Sequence, residues 1–323
     1  MKFGIEEEFF LIDYDDYSSG IHQRAFLKEL SRSFKMNIIS TNESDHYPTK
    51  INRDFENGYL SIKFDSTYNT LELAYPPFKD LNAFINLAED VYGLIKEHAK
   101  DLTLDIKRVG YLDIPLTKES FLENESVLNT TNRKPSNSEI YDQFFHGKIC
   151  ATQVHLDIEI DLFFVLIKEL YSLEIIYTRF YSNSQYQNFR NFRLNIIQNN
   201  HDENFKFAGF PSQLYKDKNS YFEGLNVWRD YSLIVPSLRN TCEFRSSCVQ
   251  EDHYKLRSLI KTRTFLTKAL LSGELNLDYI KNYNLKEVFL ESLSLTPSRI
   301  VEDYLNEFLL HNKDVIPSDF FGD

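Results

Sequence analysis

Glycine is scarce in this chain, at 10 of 323 residues, and none of it forms a phosphate-binding turn. Neither GxGxxG nor GxxxxGK[ST] occurs, which counts against a Rossmann or P-loop nucleotide site. Cysteine is limited to Cys150, Cys242 and Cys248, an odd count that points to a reducing compartment rather than a disulfide framework. No run of Lys and Arg exceeds two residues, and the net charge is −12, so the basic face that nucleic acid requires is missing. The longest apolar run, Leu162 to Ile167, falls far short of the ~20 residues a membrane span needs. A strand is expected from residue 3, leaving no room ahead of it for a signal peptide. These absences predict a soluble, cytoplasmic protein that binds neither nucleic acid nor membrane. Homo-oligomer formation stays open.

What is present is a set of acids inside strand-like segments. Phe3 to Asp13 is apolar at both ends yet contains Glu6, Glu7 and Glu8 in succession. Side chains alternate along a strand, so Glu6 and Glu8 share one face and Glu7 takes the other. Two like charges on one face repel, and burial without a partner costs several kcal/mol. Either a cation, with a divalent metal the obvious choice, or plain solvent must meet them. Asp65 and Glu72 lie in a second strand-like stretch that stops at Pro76-Pro77. From Cys150 to Asp161, Val154, Leu156, Ile158 and Ile160 alternate with His155, Asp157, Glu159 and Asp161. In Asn240 to Arg245, Glu243 and Arg245 share a face with Phe244 behind them. Four strands with acids or His on one side and apolar residues on the other describe a metal-lined sheet face.

The coarse pattern is α+β. Strands are expected over 3–13, 60–74 (two short ones), 104–114, 153–160 and 241–247. Helices are expected over 22–35, after Asp80, over 162–181, and from about 252 onward. Leu81, Phe84, Ile85, Ala88, Val91, Tyr92 and Ile95 follow helical spacing behind an Asp80 N-cap. Thr296-Pro297 forms an N-cap and first-turn pair for a last helix ending near His311. Residues 117–138, rich in Asn, Ser, Thr and Lys, read as a long flexible loop, either a lid or a surface insertion.

Five ordered blocks across about residues 3–250 resemble the glutamate–cysteine ligase type 2 family of carboxylate–amine ligases, distant relatives of glutamine synthetase. Gly4 to Phe9 matches Gly-Ile-Glu-x-Glu-Phe. Asp65, Glu72 and Pro76 match an acid and a Glu that close on a Pro-containing turn. Cys150, Val154 and His155 match Cys-x-x-His-Val-His, with Gln153 in place of the first His. Asn183, Ser184 and Arg193 match an Asn-Ser…Arg block, and Thr241, Glu243 and Arg245 match Thr-x-Glu-x-Arg.

The resemblance implies one ligase-like domain over 1–323. Its α+β fold would be a curved, largely antiparallel sheet with helices on the convex side, as in the glutamine synthetase catalytic domain. It implies use of ATP with Mg²⁺ (or Mn²⁺) and small-molecule carboxylate and amine substrates, with glutamate and cysteine the default pair. Glu6, Glu8, Glu72, His155 and Glu243 are the expected metal ligands, hard oxygens with one imidazole that Mn²⁺ tolerates better. Arg245 and Arg193 are the expected catalytic and nucleotide-binding residues, whose planar guanidinium forks suit phosphoryl oxygens. Asp65, Asn183 and Gln153 are the expected substrate-side residues, with Asp65 equally open as a further metal ligand. The departures fall on that side: Gln153, Cys248 in place of an Asp, and Gln185, Tyr186 and Asn188 in place of Pro, Trp and Gly. They leave open a ligase for another amino acid or amine, a non-catalytic nucleotide- or metal-binding relative, and an unrelated metal hydrolase built on the same acids.

Overall fold

The computed structural model describes residues 1–16, 20–42, 46–122, 145–199, 210, 219, 232–237 and 240–317. Among them, nine strands form one sheet in the order β2-β3-β4-β5-β1-β7-β9-β8, with β6 paired to the far end of β1. The strands are β1 (Phe3–Ile12), β2 (Asn37–Thr41), β3 (Pro48–Phe55), β4 (Gly58–Phe64), β5 (Thr70–Ala74), β6 (Asp105–Lys107), β7 (Thr152–Asp157), β8 (Ile234–Ser237) and β9 (Thr241–Phe244). Every pairing is antiparallel. The helices are α1 (Ile21–Ser33), α2 (Leu81–Asp101), α3 (Ile160–Val165), α4 (Ile167–Phe180), α5 (Phe192–Asn199), α6 (His253–Leu271), α7 (Leu285–Ser292) and α8 (Arg299–His311). The chain is α+β with a largely antiparallel sheet, and its described elements after residue 252 are helical. None of the described helices is long and apolar enough to cross a membrane.

β1 lies in the middle because both its edges are used, one by β5 and the other by β7 and β6. Its odd-numbered residues face α2. Phe3 meets Phe84 edge-on at 5.7 Å, and Phe9 meets Tyr92 at 6.0 Å. The Asp80 carboxylate accepts hydrogen bonds from the Asn82 and Ala83 amides at 2.8 and 3.3 Å, which starts α2 as the sequence predicts. Phe84 also packs edge-on against Tyr75 and Phe78, so its truncation to Ala would cost about 3–5 kcal/mol.

Several boundaries differ from the sequence expectation, each for a local reason. β2 and β3 were not expected. β7 stops at Asp157, its last pair with β9, so Glu159 becomes the N-cap of α3 and Ile160 and Asp161 turn into that helix. The helix expected over 162–181 is broken at Leu166. α3 buries only Ile160 and Phe163, whereas α4 is buried nearly all round. The strand expected over 104–114 ends at Lys107, because the Arg108 carbonyl accepts from Asn183 Nδ2 at 2.7 Å and the chain leaves the sheet there. β9 ends at Phe244, since the next carbonyls, of Arg245 and Ser247, accept from the Arg193 guanidinium. α8 starts at Arg299 behind Ser298, later than Thr296-Pro297. The preceding residues are held extended: Leu295 N donates to the Asn188 carbonyl at 2.9 Å, and Ser294 bridges Phe189. Of the loop expected at 117–138, residues 123–138 lie outside the described residues, and Lys118–Ser120 form a short 3₁₀ turn.

Candidate active site

Register explains how distant residues meet. Glu8 stands opposite Glu72 across β1 and β5, and Glu72 opposite Lys63 across β5 and β4. On the other side Glu6 stands opposite Gln153, Gly4 opposite His155, and His155 opposite Glu243. All of these side chains therefore belong to the sheet face away from α2. Two groups result. Glu6, His155 and Glu243 offer donor atoms within 4.8 Å of one another, and so do Glu8, Asp65 and Glu72. The five expected metal ligands thus fall into two triads on one sheet face, and Asp65, open between metal ligand and substrate contact in the sequence, completes the second.

The first triad has beside it the one cation that the sequence places there, Arg245. His155 Nε2 lies 3.2 Å from Glu6 Oε1, buried and without a hydrogen bond in good geometry among the described residues. Glu243 is ion-paired with Arg245 Nε. Burial is the largest influence on Glu6 and pushes its carboxyl up, yet His155, Arg245 and Lys63 together hold it below the ordinary range. Burial likewise opposes the His155 imidazolium, but Glu6 and Glu243 outweigh it and raise the His155 pKa.

Among the described residues, the second triad's three carboxylates meet fewer cations than acids, with Lys63 and Arg193 as the positive charges acting on it. Burial and then the Asp65 charge push Glu8 up to about 7, although Arg193 and the donors from Ala151 and Gln153 pull the other way. Glu8 Oε2 accepts from the Ala151 amide at 2.8 Å, and Glu8 Oε1 from Gln153 Nε2 at 2.6 Å. Glu72 is raised well above the carboxylate range by burial and Asp65, despite Lys63 Nζ at 3.0 Å. Lys63 also approaches Asp65 at 4.0 Å, and both acids hold its pKa above the usual lysine value against the effect of burial. Three crowded carboxylates, of which Glu8 and Glu72 resist ionisation, beside a buried imidazole nitrogen without a hydrogen bond among the described residues, fit one or more divalent cations held by oxygen with one nitrogen.

The arginines and Asn183 have structural duties as well. Arg193 is buried and grips the Arg245 and Ser247 carbonyls, fixing the turn after β9. Asn183 Nδ2 is committed to the Arg108 and Val249 carbonyls at 2.7 and 3.3 Å, so it serves the frame behind the site. Cys248 is buried with its Sγ 3.2 Å from Ser184 Oγ. Lys63 went unnoticed in the sequence. Its signal was the polar row Ser61, Lys63, Asp65 alternating with Leu60, Ile62 and Phe64. A cavity of about 350 Å³ opens beside the first triad, with Glu6 and His155 at one side and Tyr59, Ala74, Pro76 and Pro77 among its walls.

No family model and no curated protein matches the sequence. Solved structures do resemble the fold. A glutamate–cysteine ligase (gshA) from Francisella tularensis in complex with AMP superposes with a TM-score of 0.56 at 11% identity, covering 99% of this chain and 79% of that one. A bifunctional glutathione synthetase from Pasteurella multocida gives 0.48 at 13% identity, with 97% and 44% covered. The ligase PafA, solved with the prokaryotic ubiquitin-like protein Pup, gives 0.44 at 10% identity, with 83% and 46% covered. The chain spans less than half the length of these last two. It has the fold of the Francisella tularensis glutamate–cysteine ligase, and at that level the resemblance carried by its motifs is met.

Proposed function

We propose that this protein is an ATP-dependent carboxylate–amine ligase. The observation that carries the reading is the pair of acid triads side by side on one sheet face, with Arg245 paired into the first and Arg193 close enough to Glu8 to favour its ionised form. Glu6, His155 and Glu243 would hold one Mg²⁺ or Mn²⁺, and Glu8, Asp65 and Glu72 another. Such cations would screen the charges of a triphosphate and a carboxylate brought together. The cavity beside the first triad offers an apolar wall of Pro76, Pro77 and Tyr59 for a base, with Glu6 and His155 at its polar side.

In this reading a substrate carboxylate oxygen attacks the γ-phosphorus of ATP, and the bond to the ADP oxygen breaks. The amine nitrogen then attacks the acyl carbon, phosphate leaves, and the nitrogen loses a proton as the amide forms. The chain's part is to position the reactants and stabilise charge. The Arg245 guanidinium meets developing negative charge on the transferred group, and Arg193 fixes the turn that carries Arg245. Glutamate with cysteine is the first pair to try. Gln153, which stands where the resembled family has His, motivates an equal trial of other amino acids and amines. The test is an ADP-release screen of carboxylates and amines with Mg²⁺ and Mn²⁺. Release that requires both substrates supports the reading; nucleotide binding without turnover across the panel would replace it with a non-catalytic relative.

A further inference from the structure

Lys63 is a cation that the fold itself supplies to the crowded face. β4 brings it opposite Glu72 in register, and its Nζ lies 3.0 Å from Glu72 Oε2 and 4.0 Å from Asp65 Oδ1. Those two acids and Glu8 offer donor atoms within 4.8 Å of one another. The ammonium therefore rests on the carboxylates that would bind a divalent cation. The two partners differ in freedom. Glu72 is fixed on β5 between β4 and β1, and its side chain is 8% exposed. The Lys63 side chain is 35% exposed and carries its charge on a flexible four-carbon stem, so the pair can part by movement of the lysine alone. Arg193, the other cation acting on this triad, is buried and bound to the Arg245 and Ser247 carbonyls, which leaves it no such freedom. A divalent ion at ~2.1 Å from the oxygen that Lys63 now holds would lie within about 5 Å of the ammonium. Charges of +2 and +1 that close repel strongly where little water screens them.

We propose that Lys63 is a resident counter-ion that competes with a divalent cation for Glu72 and Asp65, and that loading of the second triad displaces its ammonium toward solvent. The inference rests on the metal-binding part of the ligase reading. In the cation-free protein Lys63 offsets the repulsion between Glu72 and Asp65, and in the loaded protein the divalent ion takes over that duty. Lys63 thereby sets the concentration of divalent ion at which the triad fills.

Two measurements on the full chain test this with Mn²⁺ as the probe, and neither reads turnover. The first is an electron paramagnetic resonance titration of free Mn²⁺ in a Glu243→Gln background, which disables the first triad so that binding reports the second. There Lys63→Met should tighten Mn²⁺ binding at least ~10-fold, because it removes a positive charge from beside the ion. Lys63→Arg, which keeps the charge, should leave the affinity within ~3-fold. The second measurement uses the wild type, and so stands even if Lys63→Met fails to fold. Acetylation by an N-hydroxysuccinimide ester is read by peptide mass spectrometry, with exposed Lys96 on α2 as the internal reference. Mn²⁺ should speed labelling of Lys63 relative to Lys96 at least ~3-fold, as release from an ion pair implies. Weaker or unchanged Mn²⁺ binding in Lys63→Met overturns the proposal, and so does protection of Lys63 by Mn²⁺, since the lysine would then brace the acids alongside the ion. Absence of Mn²⁺ binding in the wild type defeats the metal assignment and this inference with it. Displacement of Lys63 without ligase turnover would uphold the inference and reject only the catalytic part of that reading.

Discussion

Glu7 and Glu8 are neighbours in sequence and opposites in circumstance. Glu7 points toward α2 and meets Arg108 at 2.5 Å, with the guanidinium stacked 4.8 Å over the Tyr92 ring. Glu8 points to the other face and meets Asp65 and Glu72. A second paired acid lies near Glu7's side of the sheet. Glu174 and Arg263 are fully buried, joined at 2.6 and 3.2 Å, with Ser246 Oγ at 3.0 Å and the guanidinium 3.6 Å over Tyr177. A buried acid that has its cation holds the fold together. Acids crowded with few cations among the described residues are an arrangement that folding alone does not favour, which supports the proposal of a ligand there.

The comparison breaks most visibly at the paired side. Arg263→Ala leaves Glu174 charged and unpaired in the core and should cost about 3–5 kcal/mol, lowering the melting temperature sharply and taking activity with it. Arg245→Ala, on the crowded face and partly exposed, should leave the melting temperature within a few degrees while turnover falls at least ~100-fold. Thermal melts run beside turnover assays distinguish the two, and an equal loss of stability in both variants would make Arg245 a structural ion pair.

A smaller effect separates the adjacent glutamates. Ionising Glu8 in the cation-free site costs on the order of 3 kcal/mol. Glu8→Gln should therefore raise the melting temperature of the cation-free protein at pH 8 and abolish divalent-cation stabilisation. Glu7→Gln should lower it, because it strips the partner from buried Arg108. Opposite signs in the two melts support the contrast; the same sign in both would remove it.

The smallest expected effect is the pH trend. Glu8 and Glu72 have folded-state pKa values raised above their unfolded ones. Their contribution to stability is thus fully present below the ordinary carboxylate pKa and is lost as pH rises toward and through about 7. The melting temperature of the cation-free protein should fall between pH 5 and 7.5, and Mg²⁺ or Mn²⁺ should restore more of it at the upper end. A cation-induced gain that is flat across this range would contradict the assignment.

The residues that build the site were legible because strand alternation sorts Glu6, Glu8, His155 and Glu243 onto one face without knowledge of the partners. The antiparallel pairing that brings Glu8 to Glu72 and His155 to Glu243 is a long-range matter, and only the order of the motif blocks pointed to it. β2 and β3 were missed because they lack a clean apolar row. β2 is exposed throughout, and Ile51 is the one fully buried hydrophobic of β3. Glu174 had a signal, an acid inside the apolar run Leu173 to Tyr177. Its partner lies 89 residues away, a distance local pattern does not bridge.

The central claim is that the crowded face activates a carboxylate by phosphoryl transfer. Hydroxylamine trapping with glutamate, or with whichever carboxylate supports ADP release, tests it most directly. The account predicts a hydroxamate whose formation needs ATP and a divalent cation and is matched by ADP and phosphate. A hydroxamate accompanied by AMP and pyrophosphate would mean an acyl adenylate and would contradict the mechanism.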